Sequence, residues 1–349
     1  MQLTETIRLY PNKEQEILLK QAMAEYIQTV NSLVSDAAIN NKMPKLTSKD
    51  IQASLPSAIK NQCIRDAKSV WDKKKKHGTI PVLRKPVYYV NNQNFKITGS
   101  DIQFPTWQNN KSTRIAIQIK LTDKQQTLLS GNKLGLLRIV RKNKKLMAQV
   151  SYHVPDPAFQ TAGNVMGIDL GIKCPAVSYC SDGSVKFYGN GRQNKYIRRH
   201  YAYLRKKLQK NKKTKAIKRI NNKEQRIMKD IDHKISREIV NTAKSHNVSL
   251  IKLESLSGIR STTRKSRKNN KSLHVWSFYR LLQYITYKAN QAGIRVEQVN
   301  PAYTSQTCPW CNKRHHASDR KYRCQCGFHA HRDLVGAINI CRSTEYAGG

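Results

Sequence analysis

The sequence predicts a mixed α/β chain whose first part is rich in β-strands and whose second part combines strands with long helices. Three observations support this fold class. Short alternating strands separated by turns fill residues 80–155, an apolar strand at 165–170 starts a meander around one aspartate, and residues 195–246 have the apolar spacing of long helices. At 349 residues, 38% of them hydrophobic, the chain is long enough for two to three domains with true cores.

The first elements follow from alternation and from helical periodicity. Residues 3–9 alternate and stop before Pro11, which predicts a strand, and residues 12–40 carry a loose apolar stripe that predicts a helix. A second helix is expected over 47–76, with an interruption near Pro56. The six short strands expected next are 82–90, 95–97, 101–104, 113–121, 134–140 and 146–154.

A Pro-Asp-Pro linker at 155–157 precedes the second part. Residues 175–179 and 185–188 complete the meander, and residues 211–214 predict a bend between two long helices. Residues 257–272 are rich in Ser, Thr, Lys, Arg and Asn, which predicts a basic loop. The remaining expected elements are strands at 249–254 and 295–299 and helices at 276–292 and 334–340.

Charge is the strongest compositional signal. Lys and Arg number 64 against 22 Asp and Glu, which gives a net charge of +42, and residues 71–349 carry +40 of it. Such a field attracts phosphate polymers, so nucleic acid is the expected partner. Residues 192–237 hold eighteen basic and three acidic side chains, which favours a nucleic-acid contact over a merely solvated helix face. A ribosomal-type protein that coats RNA is the plainer interpretation of charge alone.

Hydropathy argues against a membrane or secreted protein. No run approaches the ~18 consecutive apolar residues that cross a bilayer. The opening fifteen residues lack the apolar core of a signal peptide. We therefore expect a soluble cytoplasmic protein with no membrane partner.

Four of the eight cysteines form a metal-ligand pattern. Cys308 and Cys311 form C-x-x-C, and Cys324 and Cys326 form C-x-C after twelve intervening residues. Paired thiolates on two tight turns suit a tetrahedral Zn²⁺ ion, and Gly327 suits the second turn. We expect a structural zinc ribbon, with a redox or disulfide site as the alternative. The side chains that would replace one thiolate as a ligand are His329, His331 and the pair His315–His316.

Three acids stand at the ends of predicted elements in a region that is poor in acids. Asp169 lies in the apolar motif 167–171, Glu254 ends a strand, and Asp333 begins the last helix. Brought together, these carboxylates would hold two Mg²⁺ ions for in-line hydrolysis of a phosphodiester, one ion activating water and the other stabilising the leaving 3′-oxygen. Singly, each acid has a plain alternative as a turn residue, a surface acid or a helix N-cap.

Four blocks of sequence, in this order along the chain, resemble the TnpB proteins of bacterial and archaeal insertion sequences. Residues 31–38 and 55–73 extend the resemblance toward the N-terminus. The four blocks are GIDLGI at 167–172, LIKLESLSGIR at 250–260, NPAYTSQTCPWC at 300–311 and CQCGFHAHRDLVGAINI at 324–340.

The resemblance implies a RuvC-like, RNase H-type nuclease domain with an inserted zinc ribbon. In front of it the family has a β-barrel wedge domain that carries a helical recognition insertion. The implied boundaries are 1–11 and 78–160 for the wedge domain, 12–77 for the recognition domain, 164–303 and 329–342 for the nuclease domain, 304–328 for the zinc ribbon and 343–349 for a tail.

The resemblance also implies an RNA-guided, Mg²⁺-dependent DNA endonuclease related to the compact type V CRISPR effectors. The family's catalytic acids fall on Asp169, Glu254 and Asp333, which would bind two Mg²⁺ ions. One structural Zn²⁺ would be held by the four cysteines of the ribbon. The basic segment 257–272 resembles the one that regulates access of DNA to the nuclease site. The implied partners are a guide RNA and target double-stranded DNA, bound by a monomer in the nucleoid of a prokaryotic cell.

Two other functions fit parts of the sequence. A catalytically weak or inactive relative would act as an RNA-guided DNA-binding repressor, although such a protein is expected to lose some of the three acids. A guide-independent nuclease or transposase would use the same acids, but the wedge-like and recognition-like segments favour an RNA partner.

Overall fold

The computed structural model describes residues 1–256, 277–315, 317 and 320–345, with residues 74–77 described by their backbone alone. None of the described helices is long and apolar enough to cross a membrane. Three features expected from sequence lie wholly or partly outside the described residues: the basic loop at 257–272, His316 and the end of the tail at 346–349.

The chain forms two compact units whose boundary, between Pro155 and Asp156, falls within the predicted linker. In the first unit seven strands form one antiparallel sheet in the order β2-β6-β7-β1-β5-β4-β3. These strands are β1 (Gln2–Tyr10), β2 (Val87–Val90), β3 (Lys96–Thr98), β4 (Asp101–Gln108), β5 (Lys111–Ile119), β6 (Lys133–Lys142) and β7 (Lys145–His153).

Strand β1 joins the two halves of this sheet. Its residues 2–8 pair with β7, whereas Leu9 and Tyr10 pair with β5. A strand shared in this way curls the sheet into a half-barrel, with β2 and β3 as its two edges. The resemblance implies a β-barrel, whereas the described strands form an open, curled sheet.

Two long helices, α1 (Lys13–Ile39) and α2 (Ser57–His77), pack against each other in this unit. Asn12 begins α1 with a capping box, and α2 begins directly after Pro56. The helix predicted over 47–76 was therefore too long at its start. There the Asp50 carboxylate accepts hydrogen bonds from the Thr47 N–H and hydroxyl instead, which stabilises a turn.

A short helix, α3 (Asp123–Ser130), lies between β5 and β6 and was not predicted. Its signal was present, since Thr122 and Gln125 form a capping box. Only eight residues follow that cap, too few for a periodic apolar stripe, and Leu129 is the helix's one buried residue.

The second unit is built on a five-stranded sheet in the order β10-β9-β8-β11-β12. Strands β8, β11 and β12 are parallel, while β9 and β10 are antiparallel to their neighbours. Most predicted elements of this part are confirmed to within a few residues. The strands are β8 (Asn164–Asp169), β9 (Ala176–Cys180), β10 (Val185–Tyr188), β11 (Val248–Glu254) and β12 (Arg295–Val299), followed by the hairpin of β13 (Lys321–Arg323) and β14 (His329–His331).

The long helical region of this unit is broken twice rather than once. The predicted bend at 211–214 is confirmed, and a second break occurs at Asn221, whose φ of +45° interrupts the helix. The helices in the described part of the second unit are α4 (Gly191–Lys210), α5 (Thr214–Ile220), α6 (Lys223–Ser245), α7 (Phe278–Gln291) and α8 (Arg332–Arg342).

Candidate functional site

Two of the three predicted acids end neighbouring parallel strands. Asp169 is the last residue of β8 and Glu254 the last of β11, and these strands pair with Ile168 opposite Leu253. Because the carboxyl ends of parallel strands meet at one edge of a sheet, the two carboxylates lie side by side.

The third acid, Asp333, comes from helix α8, which packs directly against β8. The helix approaches the strand closely because both present glycine. A Cβ atom added at Gly336 would lie 3.3 Å from the Asp169 carboxylate, and one added at Gly171 would lie 3.8 Å from Asp333 Oδ2. The structure therefore brings Asp169, Glu254 and Asp333 to one edge of the sheet.

Gly167 gives the tightest of these approaches. A Cβ at this position would lie 2.2 Å from the carbonyl oxygen of Ala337 and 2.3 Å from the amide nitrogen of Cys341. Backbone atoms cannot retreat as a flexible side chain can, so helix α8 would have to move away from the strand that carries Asp169.

We expect Gly167→Ala to lower the free energy of unfolding by at least the ~1–3 kcal/mol typical of overpacked cores. Urea unfolding of the purified protein measures this loss. The matched control is Gly99→Ala, since a Cβ at that site meets no atom within 4 Å. Equal unfolding midpoints for the two variants would contradict the close packing of α8 on β8.

Full ionisation of the three clustered acids is energetically unfavourable in the folded protein. Burial raises the pKa of Asp169 well above its usual value, and the charges of Glu254 and Asp333 raise it further, against the lowering effect of Arg320 and Arg332. Burial also raises the pKa of Glu254, although a hydrogen bond from Thr304 opposes this. The two arginines therefore do not fully offset the burial and mutual repulsion of the carboxylates.

Asp333 has one paired oxygen and one orphaned oxygen. Its Oδ1 accepts a hydrogen bond from the guanidinium of Arg320, whereas its buried Oδ2 has no hydrogen-bond partner among the described residues. An all-oxygen donor set with an unsatisfied carboxylate fits a hard divalent cation such as Mg²⁺. The three carboxylates are more widely spread than a closed cage: among the described residues only four cysteines hold all their ligand atoms within 4.8 Å of one another.

The sequence did not single out two side chains that contact the acids. Arg320 lies just before β13, in the cysteine-rich insertion, and pairs with Asp333. The Thr304 hydroxyl donates a hydrogen bond to Glu254 Oε1. The Thr304 carbonyl oxygen accepts one from Asn339 Nδ2 at 2.7 Å. Neither residue has a spacing or composition that marks it, because both contacts arise from tertiary folding.

The four cysteines form the tightest cluster of potential metal ligands in the described part of the chain. The Sγ atoms of Cys308 and Cys326 are 3.6 Å apart, those of Cys311 and Cys324 are 3.4 Å apart, and all four thiols are free. None of the candidate histidines that the structure describes belongs to this group: His329, His331 and His315.

Local backbone geometry explains how the cysteines converge. Asn312, with φ of +57°, turns the chain after the first pair, and Gly327, with φ of +91°, turns it after the second. Burial raises the pKa of Cys308, but backbone N–H groups and neighbouring thiols outweigh it and lower the value to about 7. A ready thiolate among four sulfur atoms fits Zn²⁺.

Two family profiles match the second part of the chain, from residue 149 onward. A profile described as a probable transposase, OrfB_IS605, matches residues 149–260, and one described as the TNB domain of Cas12f1-like proteins matches residues 278–340. Together they contain the three acids and the four cysteines.

Individual relatives agree with these profiles. The TnpB-like protein MJ0751 of Methanocaldococcus jannaschii is 32% identical over 163 residues, which cover 44% of this chain and 58% of that protein. The CRISPR-associated endodeoxyribonuclease Cas12f1 of Syntrophomonas palmitatica is 25% identical over 90% of this chain and 71% of its own length. This chain thus spans little more than half of the archaeal relative.

The fold has a close counterpart among solved structures. A Cas12f1 protein, in a complex with single-guide RNA and target DNA, superposes with a TM-score of 0.71 over 94% of this chain and 83% of that one, at 18% identity. The mixed α/β fold is thus shared with that effector. In sequence, part of the chain is similar to a probable transposase, to the TNB domain of Cas12f1-like proteins and to a TnpB-like protein.

Proposed function

We propose that this protein is an RNA-guided DNA endonuclease that depends on divalent metal ions. The observation that carries the proposal is the meeting of Asp169, Glu254 and Asp333 at one sheet edge, where their charges lack compensation. The names of the relatives support the substrate, since one is an endodeoxyribonuclease and another was solved with guide RNA and target DNA.

The proposed domains are those that the family resemblance implies. A RuvC-like, RNase H-type nuclease domain would comprise 164–303 and 329–342, with the zinc ribbon inserted at 304–328. The half-barrel sheet would serve as the wedge domain, and helices α1 and α2 as the recognition domain. The five-stranded sheet with helix α8 packed on β8 supports the nuclease assignment.

In the proposed mechanism, the three carboxylates would hold divalent ions, whose positive charge would offset that of the phosphate. Two Mg²⁺ ions bound there would supply Lewis acidity for hydrolysis of a phosphodiester. Thr304 orients Glu254 through its hydroxyl, and the Gly167 and Gly336 contacts fix Asp333 beside Asp169. The guanidinium of Arg320 neutralises part of the charge on Asp333 until the cation binds.

The four-cysteine cluster is proposed to bind one structural Zn²⁺. The ribbon then acts on the acid site through the chain itself, because Arg320 precedes β13 and Asp333 follows β14 by two residues. The metal would therefore stabilise the segment that presents both of these side chains.

The guide RNA is the first partner to test. We expect one discrete RNA to co-purify with the protein expressed from its native locus, and sequencing should show that the RNA ends in sequence copied from the flanking DNA. The net charge of +42 supports such a partner but does not select it.

Other outcomes separate the alternative functions. A heterogeneous RNA smear that is lost at moderate salt would favour a guide-independent nuclease. A discrete RNA with target binding but no cleavage in Mg²⁺ would favour the repressor. The control for cleavage is a target without sequence complementary to the guide.

A further inference from the structure

Lys288 of helix α7 is buried without a carboxylate beside it. Only 3% of its surface is exposed, and its Nζ donates to the carbonyl of His233 at 2.7 Å and to the hydroxyl of Ser236 at 2.6 Å. The rings of Tyr284 and Tyr287 lie 5.9 and 5.8 Å from the same nitrogen. None of the ion pairs between described residues includes Lys288, so its third N–H and its charge have no anionic partner there.

A cleft of about 490 Å³ lies between α6 and α7 at this lysine. On α6 it is lined by His233, Arg237 and Asn241, which are spaced four residues apart and share one face, and on α7 by Tyr287 and Lys288. The cleft therefore combines two cations, a polar amide and an aromatic ring.

The other charged residues of this cleft are already paired. Lys234 pairs with Asp230 at 2.8 Å, and Glu238 pairs with Lys186 at 3.1 Å. Arg237 and Lys288 are left as the uncompensated charges among the described residues that line the cleft.

This imbalance is costly to the protein on its own. Burial lowers the pKa of Lys288 to about 8, and the charge of Arg237 contributes to the shift. A buried cation without a counter-ion is normally avoided, unless an anion from outside completes the site.

We propose that the α6–α7 cleft binds a backbone phosphate of nucleic acid, with Lys288 and Arg237 as the paired cations. A phosphate oxygen accepts a hydrogen bond from the third N–H of Lys288. The planar guanidinium of Arg237 binds the same phosphate from the edge of the cleft. Eighteen basic residues over 192–237 bring polyanions to this surface. The choice of a nucleic-acid phosphate over free phosphate rests on the proposed function.

Salt-dependent affinity tests this proposal. The full-length, RNA-free protein is titrated with fluorescent (dT)20 and (U)20 in the absence of Mg²⁺, so cleavage plays no part. Loss of one phosphate contact should weaken binding about three- to tenfold and lower the slope of log K against log salt by about one, for both oligonucleotides. We expect this of Arg237→Gln and of Lys288→Met. Lys244→Gln, which removes an exposed charge from α6 outside the cleft, should change neither quantity.

Thermal unfolding separates a ligand site from a purely structural lysine. Without ligand, Lys288→Met should unfold at the same or a higher temperature than wild type, since Ser236 still donates to the His233 carbonyl at 3.1 Å. A lower unfolding temperature together with unchanged salt slopes would overturn the proposal. Stabilisation of wild type by millimolar inorganic phosphate, with slopes equal in all variants, would overturn the nucleic-acid assignment.

These outcomes are independent of guided cleavage. If the protein cuts guided targets but the cleft variants leave the salt slope of binding unchanged, only the proposal of phosphate binding in the cleft is refuted. A protein that fails to cut but shows the slope change refutes the proposed function alone.

Discussion

Asp169→Asn is expected to reduce guided DNA cleavage at least a thousandfold while leaving RNA affinity within about twofold. The asparagine keeps the shape of the side chain but removes the negative charge that is proposed to bind Mg²⁺. A thousandfold loss equals about 4 kcal/mol of transition-state stabilisation. Single-turnover cleavage of a guide-matched target measures the first quantity, and filter binding of the co-purified RNA measures the second.

The same variant carries a stability signature that inactivation by misfolding would not produce. The pKa of Asp169 is raised in the folded state, so the folded protein loses stability as the pH rises from about 4, the unfolded value, through that raised pKa. In Mg²⁺-free buffer at pH 8, Asp169→Asn should therefore unfold at a higher temperature than wild type, and the difference should vanish near pH 4.

Added Mg²⁺ should reverse the order of stability. It should raise the unfolding temperature of wild type at pH 8 and leave that of Asp169→Asn nearly unchanged. The control is Asp182→Asn, which removes an acid on the β9–β10 turn of the same unit, where it pairs with His246. A fully active Asp169→Asn protein would refute the assignment of this residue.

Cys308→Ser should abolish the zinc content and most of the cleavage activity. Elemental analysis of wild type should give about one Zn per chain, and the variant should retain less than a tenth of it. Structural zinc contributes roughly 10–16 kcal/mol in small zinc-binding peptides, far more than the few hydrogen bonds of the β13–β14 hairpin.

The loss should be local. Hydrogen exchange in Cys308→Ser should rise across residues 304–331 and change little in β1–β7 of the first unit. The matched control is Cys180→Ser, which removes a buried thiol from β9, outside the cluster, and should keep its zinc. Wild-type protein that is folded, active and free of zinc would contradict the proposed metal.

Much of the candidate site followed from local sequence. Asp169 and Glu254 each close an apolar run, and parallel pairing of β8 with β11 makes the ends of these runs neighbours. The spacing of Cys308 with Cys311 and of Cys324 with Cys326 predicted the four-cysteine cluster in the same way, because short loops fix which thiols can meet.

What the sequence did not reveal depends on contacts between distant segments. The pairing of Arg320 with Asp333 requires the hairpin to fold back on helix α8, and no local pattern encodes it. No local sequence pattern marks Gly167 or Gly336. Their role, which is to let α8 pack closely on β8, follows only from the distances between these two elements. The start of α2 was misjudged and α3 was missed, although Pro56 and the capping-box residues Thr122 and Gln125 were present in the sequence.

The placement of the three acids bears on the order of folding. Strands β8 to β10 pair through short loops, whereas pairing β8 with β11 closes a loop that contains α4, α5 and α6, and docking α8 closes a longer one. Long closures carry the larger entropic cost and form late. A nascent or partly unfolded chain would therefore carry its net positive charge before the three acids come together. Such a chain would bind nucleic acid but would lack the site proposed to cut it.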